Sequence, residues 1–262
     1  LIIIDEQHKF GVNQRKKLSD KGGKDCDVLV MSATPIPRTM MMTIYGDMDI
    51  SLIKSKPKNR LPIKTYSKNE TKINEVINFI KSEILKKNQV FWVCPLIKES
   101  KKIDHQSATE KYKYLSKIFK DRVDIVHGSM SKEEKDKVLN KFNDRKIDIL
   151  VSTTVIEVGI DFPNANVIVI ENSNKYGLSQ LHQLRGRVGR GNKESSCILM
   201  FKAGLSENAR KRITILKNTN DGFKIAEEDL KIRGYGDILG FKQSGLKKYN
   251  LCLLYTSDAA DD

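Results

Sequence analysis

From residue 63 onward the chain alternates short apolar runs with segments whose apolar residues recur at helical spacing, and this alternation restricts its fold more than any other feature. A strand at 63–66 precedes a helix at 71–86, in which Ile73, Val76, Ile77, Ile80 and Ile84 share one face. A strand at 90–94 leads to a helix at 107–119, one at 123–126 to a helix at 131–142, and runs at 147–151, 167–170 and 198–201 supply further strands. Ser131 followed by Glu134 is a capping box that starts its helix cleanly. Strands spaced by helices of this length pair in parallel through right-handed crossovers, so the expected fold class is an open α/β sheet. From Leu205 the pattern changes to a helical pair at 208–217 and 223–232, followed by a glycine-rich stretch at 234–245.

Ahead of residue 63, the runs at 1–4 and 28–31 read as short buried strands that end at polar or small residues, where a parallel sheet presents its active groups. They predict the later strands of another lobe. A helix is expected at 38–45 and a further strand at 50–53, and the basic, proline-containing stretch 55–62 reads as a linker. A chain that opens inside a strand without Met reads as a piece of something longer. Residues 255–262 turn abruptly acidic and small, which suggests a tail of non-native or disordered sequence.

The 262 residues suffice for one large or two small domains, and no apolar run approaches the length needed to cross a bilayer. Nor does the start resemble a secretory signal. Cys26, Cys94, Cys197 and Cys252 are scattered, as are the four histidines, so neither a zinc site nor a disulfide framework is indicated. A reducing, cytoplasmic setting follows. The net charge of +14 favours a polyanion as partner, because lysine and arginine gain affinity by releasing counterions condensed on phosphate. A general lysine richness would give the same total.

Several short segments carry chemistry. Asp5 and Glu6 follow a strand, where one carboxylate can hold a magnesium-bound water and its neighbour orient the water that attacks a γ-phosphate; an ordinary solvated turn presents the same pair. Ser32 and Thr34, in Ser-Ala-Thr-Pro, close the next strand with hydroxyls suited to linking a phosphate site to a polynucleotide path, or simply to forming a turn. Thr153 and Thr154 could contact phosphate, and Gly159 with Asp161 could accept a ribose hydroxyl; a helix cap and a loop acid would look alike. The sharpest signal is the run 183–191, Gln-Leu-Arg-Gly-Arg-Val-Gly-Arg-Gly, which follows a strand-like run. Its Arg187 and Arg190 offer guanidinium forks to phosphate oxygens, glycines allow close backbone approach, and Gln183 is placed to sense the same phosphates. No Gly-x-x-x-x-Gly-Lys-Ser/Thr loop occurs, so the 262 residues alone are not expected to hydrolyse ATP efficiently.

Asp-Glu-Gln-His, Ser-Ala-Thr-Pro, Thr-Thr-Val-Ile-Glu-Val-Gly-Ile-Asp and Gln-Leu-Arg-Gly-Arg-Val-Gly-Arg, in that order, resemble the motifs of superfamily 2 helicases. The segments 92–100 and 221–234, with Gly240, Gln243, Ser244 and Gly245, narrow the resemblance to the RecG family, which remodels branched DNA, over roughly residues 1–250. The transcription-repair coupling translocase shares the second segment and is the alternative, as is an ATP-independent DNA-binding module for the chain alone.

The resemblance implies RecA-like parallel-sheet lobes, the first partial and the second complete, plus a helical hairpin. Their bounds would be 1–54 for lobe one, 55–62 for the linker, 63–204 for lobe two, 205–250 for the hairpin and translocation motif, and 251–262 for the tail. It implies ATP and Mg2+ as cofactors, with Asp5 meeting the metal through water, Asp5, Glu6, Arg187 and Arg190 catalytic, and Gln183, Gly159 and Asp161 at the nucleotide. Ser32, Thr34, Thr153, Thr154, Arg233 and Gln243 would serve DNA and coupling, with a structural role for Arg233 and Gln243 equally open. The implied partner is branched duplex DNA, forks and Holliday junctions, bound by a monomer.

Overall fold

The computed structural model of the chain describes residues 1–5, 26–32, 60–95, 101–153 and 162–233, with positions 49, 51–53 and 55. β1 (Ile2–Asp5) and β2 (Val28–Met31) pair in parallel, Ile2 opposite Val28 and Asp5 opposite Met31. The register sets Asp5 beside the residue that precedes Ser32, so these two polar positions share one carboxyl edge. The strand expected at 50–53 is not formed over 51–53. Ile53 is 85% exposed, and a strand needs a neighbouring ladder that no described residue offers it. The helix expected at 38–45 lies outside the described residues.

A six-stranded sheet follows, built from β3 (Ile63–Asn69), β4 (Gln89–Val93), β5 (Val123–Val126), β6 (Ile149–Ser152), β7 (Ala165–Ile170) and β8 (Ser195–Phe201). Its order is β3-β8-β7-β4-β6-β5 and every pair is parallel. The connections carry α1 (Ile73–Leu85), α2 (Lys101–Phe119), α3 (Lys132–Asn143) and α4 (Leu178–Arg185), and α5 (Glu207–Asn218) and α6 (Gly222–Arg233) come after the last strand. The expected open α/β sheet and helical pair are present.

Local chemistry starts these helices. The Asn69 side chain accepts from the Thr71 amide and begins a short 3-10 turn into α1. Ser131 accepts from Glu134 N while Glu134 accepts from Ser131 N, so the capping box read from the sequence is formed. Ser206 caps α5 by accepting from the Ala209 amide.

The central strands are buried on both faces, as parallel strands between helix layers must be. Along β4, Phe91 and Val93 join Phe142, Leu181, Leu184 and Ile213 on the face covered by α3, α4 and α5. Val90 and Trp92, with Cys94 just beyond the strand, join Val76, Ile80 and Leu115 on the face covered by α1 and α2. Phe91, Phe142 and Phe162 form a triangle with ring centroids 5.2, 5.2 and 5.7 Å apart. Burying each ring contributes roughly 1.5–3 kcal/mol. The triangle anchors Phe162, and with it the chain that enters β7.

Candidate active site

The arginine turn is built by the end of α4. Leu178, Leu181, Leu184 and Arg185 are its buried positions, leaving Gln183 half-buried on the opposite side. Gln180 reaches back to accept from the Gly177 amide and fixes the start of the helix. At its end, Arg187 N donates to Leu184 O (3.0 Å) and Val188 N to Arg185 O (3.3 Å), so the winding tightens into a turn. The segment immediately before the glycines is therefore a helix, and the strand-like run expected ahead of it is β7. Helix α4 has only eight residues, and its apolar repeat is too short to stand out from the glycine-rich sequence that follows.

Within the turn Val188 is fully buried, whereas Arg187 is half-buried and Arg190 exposed. Gly189 has φ +72°, and a Cβ there would lie 3.1 Å from Ile63 Cγ1. Gly191 approaches another backbone: a Cβ would lie 2.8 Å from the carbonyl oxygen of Pro163. Arg60 Nε donates to Gly189 O at 3.1 Å. A buried valine and two close glycine contacts thus seat the turn on the amino edge of the sheet, against the starts of β3 and β8 and the entry to β7.

Arg185 was not singled out by the sequence reading, which gave no reason to separate it from its neighbours. It is 2% exposed, and its Nη1 donates to Leu216 O (2.6 Å), Thr219 O (2.9 Å) and Thr65 Oγ1 (3.4 Å), while Nη2 lies 3.2 Å from His182 Nδ1. It is spent on the last carbonyls of α5 and holds that helix to α4. Burial lowers its pKa, and the Cys197 thiol is driven up to about 12 by its own burial, with Arg185 opposing that rise. The available signal was spacing, since Leu178, Leu181 and Arg185 fall at i, i+3 and i+7 on one helix face.

Thr153 lies at the other end of the sheet, beyond the carboxyl end of β6, and is 2% exposed. The hydroxyls of Ser152 and Thr153 have no hydrogen-bond partner among the described residues. Thr153 and the arginine turn are separated by the length of the strands, roughly 13–20 Å at the usual rise per residue. The intervening residues 154–161, with Thr154, Gly159 and Asp161, lie outside the described residues, as do Glu6, Thr34 and Gln243. Phe162, where the described residues resume, is anchored on the same amino edge as the arginine turn. Asp5 and Ser32 are exposed, and Arg233 closes α6.

Also at the carboxyl edge is a cleft of about 470 Å³ lined by Glu70, Lys111, Tyr114, Glu171, Asn172 and Lys202. Lys111 pairs with Glu171 at 2.8 Å and lies 5.4 Å from the Trp92 ring and 5.1 Å from the Tyr114 ring. Cys94 beside it is raised well above the ordinary thiol pKa, by burial first and by Glu171 second. Among the described residues no three His, Cys, Asp or Glu side chains group as a metal site.

Residues 71–192 match the helicase conserved C-terminal domain, and residues 219–255 match domain 3, C-terminal, of the ATP-dependent DNA helicase RecG. The chain is 51% identical over 257 residues to the ATP-dependent DNA helicase RecG of Thermotoga maritima, covering 97% of this chain and 33% of that protein. Against the Bacillus subtilis protein of the same name the identity is 48% over 253 residues, covering 96% and 37%. A solved structure of RecG bound to a three-way DNA junction superposes with a TM-score of 0.73 at 47% identity, covering 95% of this chain and 32% of that one. The Mycobacterium smegmatis helicase Lhr bound to ssDNA and AMP-PNP, at 16% identity and TM-score 0.61, shares the fold alone. The six-stranded unit is thus a RecA-like helicase lobe, and the chain spans about a third of the length of the RecG relatives it matches. With both matched regions and near-half identity along almost its whole length, the chain belongs to the RecG family of DNA helicases.

Proposed function

We propose that this chain is the part of an ATP-dependent branched-DNA helicase that supplies the arginine wall of the nucleotide site and the start of the DNA-coupling apparatus. The observation that carries the reading is the turn at 186–191, where Val188 is buried and the glycines pack closely while Arg187 is half-buried and Arg190 exposed. Guanidinium groups so held suit charge that spreads over phosphoryl oxygens during transfer. Gln183, Gly159 and Asp161 would complete this wall at phosphate and ribose.

Asp5 and Glu6 would act from the other wall. A single exposed carboxylate at a strand end suits Mg2+, which keeps several waters and takes further ligands from phosphates, so Asp5 fits a water-mediated contact. When bound, the metal neutralises charge on the phosphates. Glu6 would orient the attacking water.

Ser32 and Thr34 would relay the nucleotide state to DNA, together with Thr153, Thr154, Arg233 and Gln243. The buried hydroxyls of Ser152 and Thr153, which have no hydrogen-bond partner among the described residues, support a polar role for that edge of the sheet. Lysine and arginine would track duplex phosphates without reading bases, giving preference for shape over sequence. The processes served would be fork reversal, Holliday-junction migration, recombination and repair, carried out by a monomer in the cytoplasm. The match of residues 219–255 to RecG favours this over the transcription-repair translocase.

The test is ATP turnover by the full-length helicase. Arg190→Ala should lower kcat by about 10³-fold or more while leaving DNA affinity nearly intact. Unchanged turnover would remove Arg190 from the site.

A further inference from the structure

The amino edge of the sheet holds a chain of buried polar side chains with no part in the proposed chemistry. Asn166 is fully buried, and its Nδ2 donates to Asn88 Oδ1 (3.0 Å) and Asn164 O (3.3 Å), while its Oδ1 accepts from Ser195 Oγ (3.2 Å). Ser195 Oγ also lies 3.3 Å from Lys193 O. Beyond Asn88 the chain continues to Glu83, which accepts from Asn88 Nδ2 at 2.7 Å and pairs with Lys86 at 2.7 Å. A buried polar chain of this kind is satisfied only in one geometry, so it fixes relative positions that apolar packing leaves looser.

Asn166 holds this place because of a register shift. Gln89 pairs with Ala165 but Val90 pairs with Val167, so Asn166 is left without a partner on β4 and its side chain is redirected along the edge. Two segments converge on it. One is the entry to β7, in which Phe162 and Pro163 follow Asp161 directly. The other is the arginine turn, because Ser195 Cβ and Oγ each lie 3.4 Å from the position a Gly189 Cβ would occupy, and Gly191 lies against the Pro163 carbonyl.

We propose that Asn166, acting through Ser195, is a positioning residue that keeps the Arg187–Arg190 turn in register with the entry to β7 at Phe162 and Pro163. This rests on the reading of Arg187 and Arg190 as phosphate-facing. Small misplacement of such groups is costly: a shift of about 1 Å from a remote change can lower turnover by about a hundredfold.

The test uses full-length helicase variants assayed at saturating DNA, well below their melting temperatures. Ser195→Ala removes the hydroxyl that bonds Asn166 and lies against Lys193 O, Asn166→Leu removes the node at similar volume, and Ser195→Thr restores the hydroxyl. The expected result is a fall in kcat for ATP of about ten- to a hundredfold in the first two, with DNA affinity little changed and recovery in Ser195→Thr. If Asn166→Leu does not fold, Ser195→Ala with its threonine rescue decides. A lower melting temperature with unchanged kcat would overturn the positioning role. A loss of turnover in Arg190→Ala beside unchanged turnover in Ser195→Ala would overturn this inference alone. Unchanged turnover in Arg190→Ala would overturn the parent reading.

Discussion

Arg185 Nη1 donates to the carbonyl oxygen of Leu216 at 2.6 Å, which ties α4, the helix that leads into the arginine turn, to the last turn of α5. Three arginines in six residues therefore divide their work. Arg185 is buried and bound to the end of α5, whereas Arg187 is half-buried and Arg190 exposed.

Replacing Arg185 by Leu should strand the Leu216 and Thr219 carbonyls at a helix end and lower stability by about 2–3 kcal/mol. Arg185→Lys should recover only part of this, because one ammonium cannot reproduce the planar fork. Urea unfolding midpoints at constant m-value would show it. Equal stability of all three proteins would contradict the assignment.

Gly191→Ala and Gly204→Ala separate close approach from backbone conformation. At Gly191 an added Cβ meets the Pro163 carbonyl at 2.8 Å and the backbone must shift, so ATP turnover should fall at least about tenfold in the full-length protein. Gly204 has φ +79° with nothing within 4 Å, so its alanine variant should lose about 1 kcal/mol of stability and keep its turnover. Comparable turnover in both variants would count against the seating of the arginine turn.

The two buried thiols give a pH dependence. Cys197 titrates near 12 in the folded chain against 9.0 for the free thiol, so above pH 9 the unfolded state releases its proton first. The stabilisation is complete below about pH 9 and is lost as pH rises toward 12, by up to about 1.4 kcal/mol per unit. Cys94 shifts in the same direction. Cys197→Ala should flatten the decline of stability between pH 9 and 11 relative to the parent. In native protein at pH 8, iodoacetamide should label Cys26 and spare Cys94 and Cys197.

The sheet was readable in the sequence because its central strands are apolar on both faces and its helices carry single-faced stripes, as α1 does with Val76, Ile77 and Ile80. Helix α4 was not, because eight residues give a weak period and a glycine-rich turn follows. Ile53 looked like a strand residue on local composition, yet strands exist only through partners that composition cannot reveal. Asn166 was invisible for the same reason, since its role follows from a register shift between β4 and β7. Arg187 and Arg190 stood out through their glycines, and Arg185 was hidden beside them because its buried acceptors lie more than thirty residues away.

The net charge of +14 should make DNA binding by the 262-residue chain weak and steeply salt-dependent. Fluorescence anisotropy with a labelled duplex should give a log affinity that falls linearly with log salt concentration. Affinity independent of ionic strength would contradict an interface made mainly of phosphate contacts.

The most direct test of the proposal that Arg187 and Arg190 face phosphate compares binding of ADP and of ADP–beryllium fluoride, a γ-phosphate mimic, to the full-length helicase and its Arg187→Ala, Arg190→Ala double variant. The arginine wall predicts that the variant loses affinity for the mimic by at least about tenfold and binds ADP as the parent does. Equal affinities of parent and variant for the mimic would contradict it.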